Sequence, residues 1–319
     1  MARPPKLDLP LRDGVAASAL ACPPGHWALV LDFLAERLPL VGRGDWAGRM
    51  ARGDVLDDGG RPVAPDAPYR AQRRLYYWRW LADEPIVPFV SRILHLDDHL
   101  LVADKPHFLP VTPKGRYVQQ TLLTRLRQET GLAALSPIHR LDRETAGLTL
   151  FSVQPGSRDA YQRLFREREV EKVYEAIAPW REAVGPEFPM AYASRLEEHP
   201  VDFMQMRTVP GEPNAVTRIA VLERLGIDRA RYELRPETGV KHQLRAQMCA
   251  LGRPIEGDRI YPVLRPVEET VDFSCPLQLL AREIAFVDPL SGQPRRFVTS
   301  LRLTGADEGL SQAVAAPER

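Results

Sequence analysis

Strand-like segments outnumber helix-like ones in this chain, and most connections between them are of hairpin length. That balance constrains the fold more than any other feature. Residues 171–179 (EKVYEAIAP), 215–225 (AVTRIAVLERL), 229–237 (RARYELRPE) and 277–289 (LQLLAREIAFVDP) carry the Val, Ile, Tyr and Phe content that suits a pleated, half-buried surface. Two further strands are predicted, at 147–153 (GLTLFSV) and across 93–106 (ILHLDDHLLVADKP). Helical spacing is restricted to a few places. Leu29, Val30, Phe33, Leu34 and Leu38 form one stripe within 27–38, and short helices fit 45–52 and 118–130. Tyr161, Leu164 and Phe165 share a face within 158–168, and Leu244, Met248 and Leu251 form a stripe after Lys241. The expected fold class is α+β: a mostly antiparallel mixed sheet with flanking helices, joined to a small α/β N-terminal module.

At 319 residues there is room for two or three modest domains. Residues 1–21 are Pro-rich and aperiodic and read as a tail. Residues 22–82 hold two helices, the turn Asp57-Asp58-Gly59-Gly60 and the aromatic run RRLYYWRWL, enough for a compact module. Pro85 and Pro88 mark 83–92 as a linker, 93–304 forms the larger domain, and 305–319 reads as a second tail. No stretch approaches the ~20 apolar residues that span a bilayer. No apolar segment follows MARPPKLDLP either, so no membrane association and a cytoplasmic location are expected. Cys22, Cys249 and Cys275 form no C-x-x-C pair, which points to reduced thiols rather than disulfides or a zinc site. The net charge of +1 supplies no global cationic field, so any nucleic-acid contact must rest on local patches. Arginines number 38 against five lysines, and the planar arginine fork suits oxyanions.

The most informative run is His139-Arg140-Leu141-Asp142-Arg143-Glu144-Thr145-Ala146-Gly147-Leu148. It is a charged loop entering an apolar strand, with Gly147 permitting a tight backbone at the join. Asp142 lies between Arg140 and Arg143, whose charges favour an ionised carboxylate able to act as a nucleophile. On the residues alone a salt-bridged surface loop is the favoured reading, because most charged loops do no chemistry.

This run resembles the His-Arg-Leu-Asp-x-x-Thr-(Ser/Ala)-Gly-Leu motif of RluA-type RNA pseudouridine synthases, in which the Asp is the catalytic nucleophile. Asp142 takes that place. Lys105-Pro106 is similar to the family's Lys-Pro entry, with Phe108 where a glycine is usual. Lys172-Val173-Tyr174 resembles its Lys-x-Tyr element, whose Tyr packs on the target base and has been assigned a part in proton removal. Thr238-Gly239-Val240-Lys241-His242-Gln243-Leu244-Arg245 resembles Thr-Gly-Arg-x-His-Gln-(Ile/Leu)-Arg, with Val240 in place of Arg and Lys241 as a possible substitute. The closing Arg pairs with the catalytic Asp, so Arg245 inherits that role. Leu251-Gly252-Arg253-Pro254-Ile255-Glu256-Gly257-Asp258 is similar to the segment that follows. Residues 22–80 resemble a divergent S-four-type RNA-binding domain through Arg49–Val55 and Gly60-Arg61-Pro62-Val63.

The resemblance implies isomerisation of specific uridines in structured RNA, an rRNA or tRNA loop, by a monomer that needs neither cofactor nor metal. Catalysis would rest on Asp142, Arg245 and Tyr174. RNA contacts would come from Lys105, Arg140, Arg143, Lys172, Lys241, His242 and Gln243, with Arg73 and Arg74 in the N-terminal module, where cations alternate with aromatics. Two other classes stay open: an RNA N-glycosylase, which needs a second carboxylate to activate water, with Glu144 the near candidate, and an RNA-binding protein without activity. Three lesser patterns are set aside. The His-Arg-Leu-Asp order departs from the kinase His-Arg-Asp loop. Gly42–Ala47 fits G-x-G-x-x-A but follows no strand. His95 and His99 fall on a strand and turn, where a spacing of four does not converge on a metal.

Overall fold

The computed structural model describes residues 7–81, 83–181, 187–266 and 271–303, and the expected C-terminal tail lies outside them. The chain divides into two compact units, residues 1–84 with 124–133, and 85–123 with 134–319.

In the smaller unit, β1 (Ser18–Ala21), α1 (Val30–Arg37), α2 (Arg43–Ala51), β2 (Val55–Leu56) and β3 (Arg74–Tyr77) follow in order, and the three strands form a sheet of order β1-β3-β2. Phe33, Leu34, Trp46 and Met50 from the two helices are buried against Val55 and Leu75. Residues 7–21 are not a free tail. β1 pairs in register with β3, Val15 is buried, and the Leu7 N–H donates to the Tyr76 hydroxyl. α1 begins later than its apolar stripe, because Leu29 is extended and its N–H donates to Asp32. Only Arg74–Tyr77 of the aromatic run is strand. Trp78 turns inward and donates from Nε1 to the Pro10 carbonyl.

The larger unit begins by burying Val87 and Phe89, so the segment read as a linker is packed; Phe89 stacks on Phe108 and meets Phe273 edge-on. The run 93–106 is two strands, β4 (Arg92–Leu96) and β5 (Leu100–Lys105). Asp97 separates them by accepting the N–H groups of His99 and Leu100, which forms the turn expected between His95 and His99. α3 (Leu122–Thr130) starts four residues later than expected, and from Thr124 it belongs to the smaller unit. Then come β6 (Ser136–Pro137), β7 (Ala146–Ser152), α4 (Arg158–Arg166), β8 (Glu171–Pro179), β9 (Met190–Glu198), β10 (Met206–Val209), β11 (Ala215–Leu225), β12 (Arg229–Pro236), α5 (Gln243–Ala250), β13 (Leu279–Val287) and β14 (Pro294–Val298).

These strands build one mixed sheet of order β10-β9-β11-β12-β8-β13-β7-β5-β4, with β14 added to β13 and β6 to β7. The α+β expectation therefore holds. Every pairing is antiparallel except that of β7 with β13, among the described residues. Leu244 and Met248 of α5 pack onto Ala176, Ala178, Ile219, Ala230 and Leu234, where small alanines let the helix lie close to the sheet.

Register places the site. Lys105, Gly147, Ala281, Tyr174 and Leu234 lie side by side across five adjacent strands. Gly147 sits at the parallel join with φ +111°, and a Cβ there would lie 2.3 Å from the Ala281 carbonyl oxygen. Both the conformation and the close approach demand glycine. Gly147→Ala should therefore destabilise the protein by more than about 1 kcal/mol and lower its melting temperature by several degrees. Calorimetry against Gly239→Ala, where an added Cβ meets nothing within 4 Å, checks it.

Candidate active site

The loop from His139 to Thr145 is held at both ends. The His139 ring stacks on Phe165 at 4.6 Å, and its Nε2 accepts the Leu150 N–H at 3.1 Å. Burial, with the charge of Lys172, pushes His139 down to about 3, so the ring is neutral and able to accept. From the far side the buried Lys105 Nζ donates to the carbonyls of Pro106 (3.0 Å), Leu109 (2.8 Å) and Arg143 (2.9 Å). His107 Nδ1 meets the Glu144 carbonyl at 2.7 Å. Between these staples the Thr145 N–H closes a turn on the Asp142 carbonyl, and the Asp142 side chain keeps 34% of its surface in solvent.

Arg245, 2% exposed, faces this carboxylate from the first turns of α5. Nη1 donates to Asp142 Oδ2 at 3.0 Å, while Nε and Nη2 form a fork onto Asp258 at 2.8 and 2.7 Å. Asp258 Oδ1 also accepts the N–H groups of Ile260 and Tyr261, so it is fixed in turn. Burial works against the guanidinium charge, but bonding to Asp258 and then Asp142 outweighs it and raises the Arg245 pKa above its ordinary value. The Tyr261 ring lies under the guanidinium at 5.6 Å. His242, left-handed at φ +53° just before α5, brings Nε2 to 3.7 Å from Asp142 Oδ1 and Nδ1 to 3.3 Å from the Tyr261 hydroxyl. Tyr174 is half-buried, and its pKa is raised first by burial and then by the Asp142 charge. An open carboxylate, aimed by a buried cation and flanked by a neutral phenol, is suited to attack at an electrophilic carbon.

Comparison with known proteins agrees with this geometry. A family model described as RNA pseudouridylate synthase matches residues 99–250. The chain is 32% identical over 219 residues to the dual-specificity RNA pseudouridine synthase RluA of Haemophilus influenzae, covering 67% of this chain and 94% of that one. The chain belongs to the RNA pseudouridine synthases. An uncharacterised RNA pseudouridine synthase of Synechocystis is 32% identical over 238 residues, 73% of this chain and 79% of that one. The solved structure of human RNA pseudouridylate synthase domain containing 4 superposes with a TM-score of 0.51 at 30% identity, covering 66% of this chain and 88% of that one. The protein is thus an enzyme that isomerises uridine to pseudouridine in RNA.

The synthase brings Asp142, Arg245 and Tyr174 into one neighbourhood, with His242 beside them. Other residues expected at RNA are used internally. Lys105 is fully buried, and the buried Gln243 spends its amide on Thr238, Val240, Val216 and Thr217, so neither can reach RNA. Lys241 donates to Glu198 and to the Phe203 carbonyl, and so does not stand in for the arginine that Val240 replaces. Val240 packs instead against the cluster of Leu196, Met206 and Tyr261. Lys172 donates to the Thr238 carbonyl, Arg143 binds Glu144 and the Tyr117 hydroxyl, and Arg73 binds Asp58. Arg74 lies within 3.5 Å of the Tyr76 hydroxyl, and Arg140 is exposed. Phe108 takes φ +64°, which explains why glycine is usual there; stacking on Phe89 and an edge-on contact with Phe273 offset the strain. His95 is on β4 and pairs with Asp97.

Sequence reasoning missed Asp258, although its segment was matched. The available clue was Gly257, whose Cβ would lie 2.2 Å from the Pro276 carbonyl oxygen and which therefore locks the following carboxylate in place. Asp258→Asn should lower turnover at least about ten-fold, because Arg245 loses the fork that aims it, and should be less destabilised than Arg245→Met, because Arg245 keeps Asp142 as a counter-charge. Arg245→Met should be inactive and also destabilised by about 3–5 kcal/mol, since Asp258 is left buried without its cation. Turnover assays with chemical denaturation separate the two.

The neutral staples also set an acid limit. His139 in the folded protein titrates near 3 and His107 near 4, both below the 6.5 of a free imidazole. Between these values the unfolded chain binds protons that the folded one does not, so stability falls as pH drops from about 6.5 toward 4. Melting temperatures across that range should show this slope, and His139→Gln should flatten it.

Proposed function

We propose that Asp142 is the nucleophile and that the target uridine lies in a structured loop of rRNA or tRNA. Isomerisation breaks the bond between ribose C1′ and ring nitrogen N1, turns the base, joins C1′ to C5, and moves the C5 proton off while N1 gains one. A stacked base cannot be reached, so the uridine must be flipped out at a cost of a few kcal/mol. RNA loops, whose bases are already unstacked, make that easiest. In this reading Asp142 attacks C1′ or holds the detached sugar, and Arg245 fixes the direction of attack. Burial and the nearby Asp142 charge keep the Tyr174 proton in place. Tyr174 therefore packs on the base as a neutral phenol, and its part in the final deprotonation is not that of a standing base. The single observation that carries the reading is the Asp142–Arg245–Asp258 arrangement, in which the outer carboxylate is open and the inner one closed.

The glycosylase alternative is weaker because Glu144, its water-activating candidate, is buried and bound to Arg143. The reading of a silent binder has to explain a complete and oriented nucleophile. Residues 22–82 have a core of their own, which supports an S-four-like RNA-binding module. Several of their cations are matched by carboxylates, as in Arg52 with Asp54 and Arg61 with Asp57, so phosphate contacts would fall to exposed residues such as Arg70. We take the enzyme to act as a monomer, and no helix among the described residues is long and apolar enough to cross a membrane.

Asp142→Asn should fold, bind RNA and form no detectable pseudouridine, because the neutral isostere cannot act as nucleophile. The assay is mass spectrometry of nucleosides after incubation with RNA from a strain lacking the gene. Turnover within ten-fold of wild type would refute the assignment, and release of free uracil by the unaltered enzyme would favour the glycosylase.

A further inference from the structure

The connection between β9 and β10 places three apolar side chains in solvent within four residues. Val201 is 79% exposed, Phe203 73% and Met204 40%. Large apolar groups clustered on a surface mark a contact site more often than scattered ones do. Two features of this cluster say what it contacts.

The first is that the turn is stiff. His199 Nδ1 accepts the N–H groups of Val201 and Asp202, and the Gln205 N–H donates to the Asp202 carbonyl at 2.7 Å. A ligand docking there need not order a loose loop, which would otherwise cost affinity. The second is that the turn is tied to both segments that build the active site. Lys241 Nζ donates to the Phe203 carbonyl at 2.9 Å, and the next residue, His242, faces Asp142. At the other end the Gln205 amide binds the Ile260 carbonyl, and the Met206 N–H donates to the Tyr261 hydroxyl at 2.7 Å. Tyr261 in turn lies under Arg245. Lys241 is neutralised by Glu198, so it adds no free cation beside the exposed ring.

We propose that Phe203, flanked by Val201 and Met204, is a stacking platform for an unpaired base of the RNA strand next to the flipped uridine. The occupant is a single-stranded nucleotide rather than a protein. The backbone that carries the ring is tied to the rim of a site that must hold an extruded nucleotide, and the neighbours of such a nucleotide have lost a stacking partner. Stacking tolerates any base, so the platform adds affinity and positioning without reading sequence. The inference rests on the RNA-loop reading above.

The test uses the full-length chain with three variants and two probes. With RNA from a strain lacking the gene, Phe203→Ala should raise KM about ten-fold with a smaller change in kcat, and Phe203→Tyr should restore the wild-type value. With a twelve-residue oligouridine, Phe203→Trp should show fluorescence quenching on binding beyond that of the wild-type tryptophans. Unchanged KM in Phe203→Ala, or no added quenching in Phe203→Trp, overturns the platform even where pseudouridine forms normally. If the unaltered enzyme made no pseudouridine, the functional reading would fail, while the oligouridine titration would still decide whether Phe203 stacks on a base. A shift from dimer to monomer in Phe203→Ala by sedimentation would show that a second copy covers the patch, and would also overturn it.

Discussion

One buried guanidinium organises the catalytic centre. Arg245 has three donor positions turned toward carboxylates, and Asp258 takes two of them as a fork, leaving Nη1 for Asp142. A buried cation without a partner would cost several kcal/mol, so the inner carboxylate is a condition for placing arginine there at all. The outer carboxylate then receives a donor whose position is set by groups it does not touch. This division lets Asp142 remain open to solvent while being aimed from inside.

The sheet supplies the distance that the sequence lacks. Asp142 and Asp258 are far apart in the chain, yet the glycine that follows or precedes each lies against one segment, 276–281. Gly147 meets the backbone of Ala281, and Gly257 meets the carbonyl of Pro276. Both acid-bearing turns are therefore seated on the entry to β13, where the parallel pairing with β7 begins. A side chain at either glycine would lift its turn from that seat. Lys105 and His139 act on the same loop by another route, closing its backbone from either side with hydrogen bonds that need no solvent.

Much of this was legible from residues. The strands at 171–179 and 215–225 follow directly from β-branched and aromatic content, and the α5 stripe of Leu244, Met248 and Leu251 packs as its spacing requires. The Asp142–Arg245 pair was legible only through motif resemblance, because no spacing rule links residues on a loop and a helix so far apart. β9 was missed because Ala191, Ala193 and Ser194 are poor strand formers whose conformation is imposed by pairing with β11. Lys105 and Gln243 were assigned to RNA because a polar side chain in a motif does not reveal whether it faces in or out. Their burial depends on tertiary neighbours that only the fold brings together.

The charge balance has a related lesson. An arginine-rich chain suggests a surface built for phosphate, yet arginine after arginine is committed to a carboxylate of its own unit. Arg43 binds Asp32, Arg73 binds Asp58, Arg218 binds Glu237 and Arg296 binds Glu283. Exposed pairs of this kind add ~0–1 kcal/mol of stability each, so their main effect is to cancel field. With little net field left, the function proposed above has RNA held by short-range contacts at the mouth of the site rather than by bulk charge. Such contacts weaken less with salt than a phosphate-tracking patch does, because few counterions are released on binding. In that proposal the enzyme recognises an extruded base in an unstacked loop more than a line of negative charge.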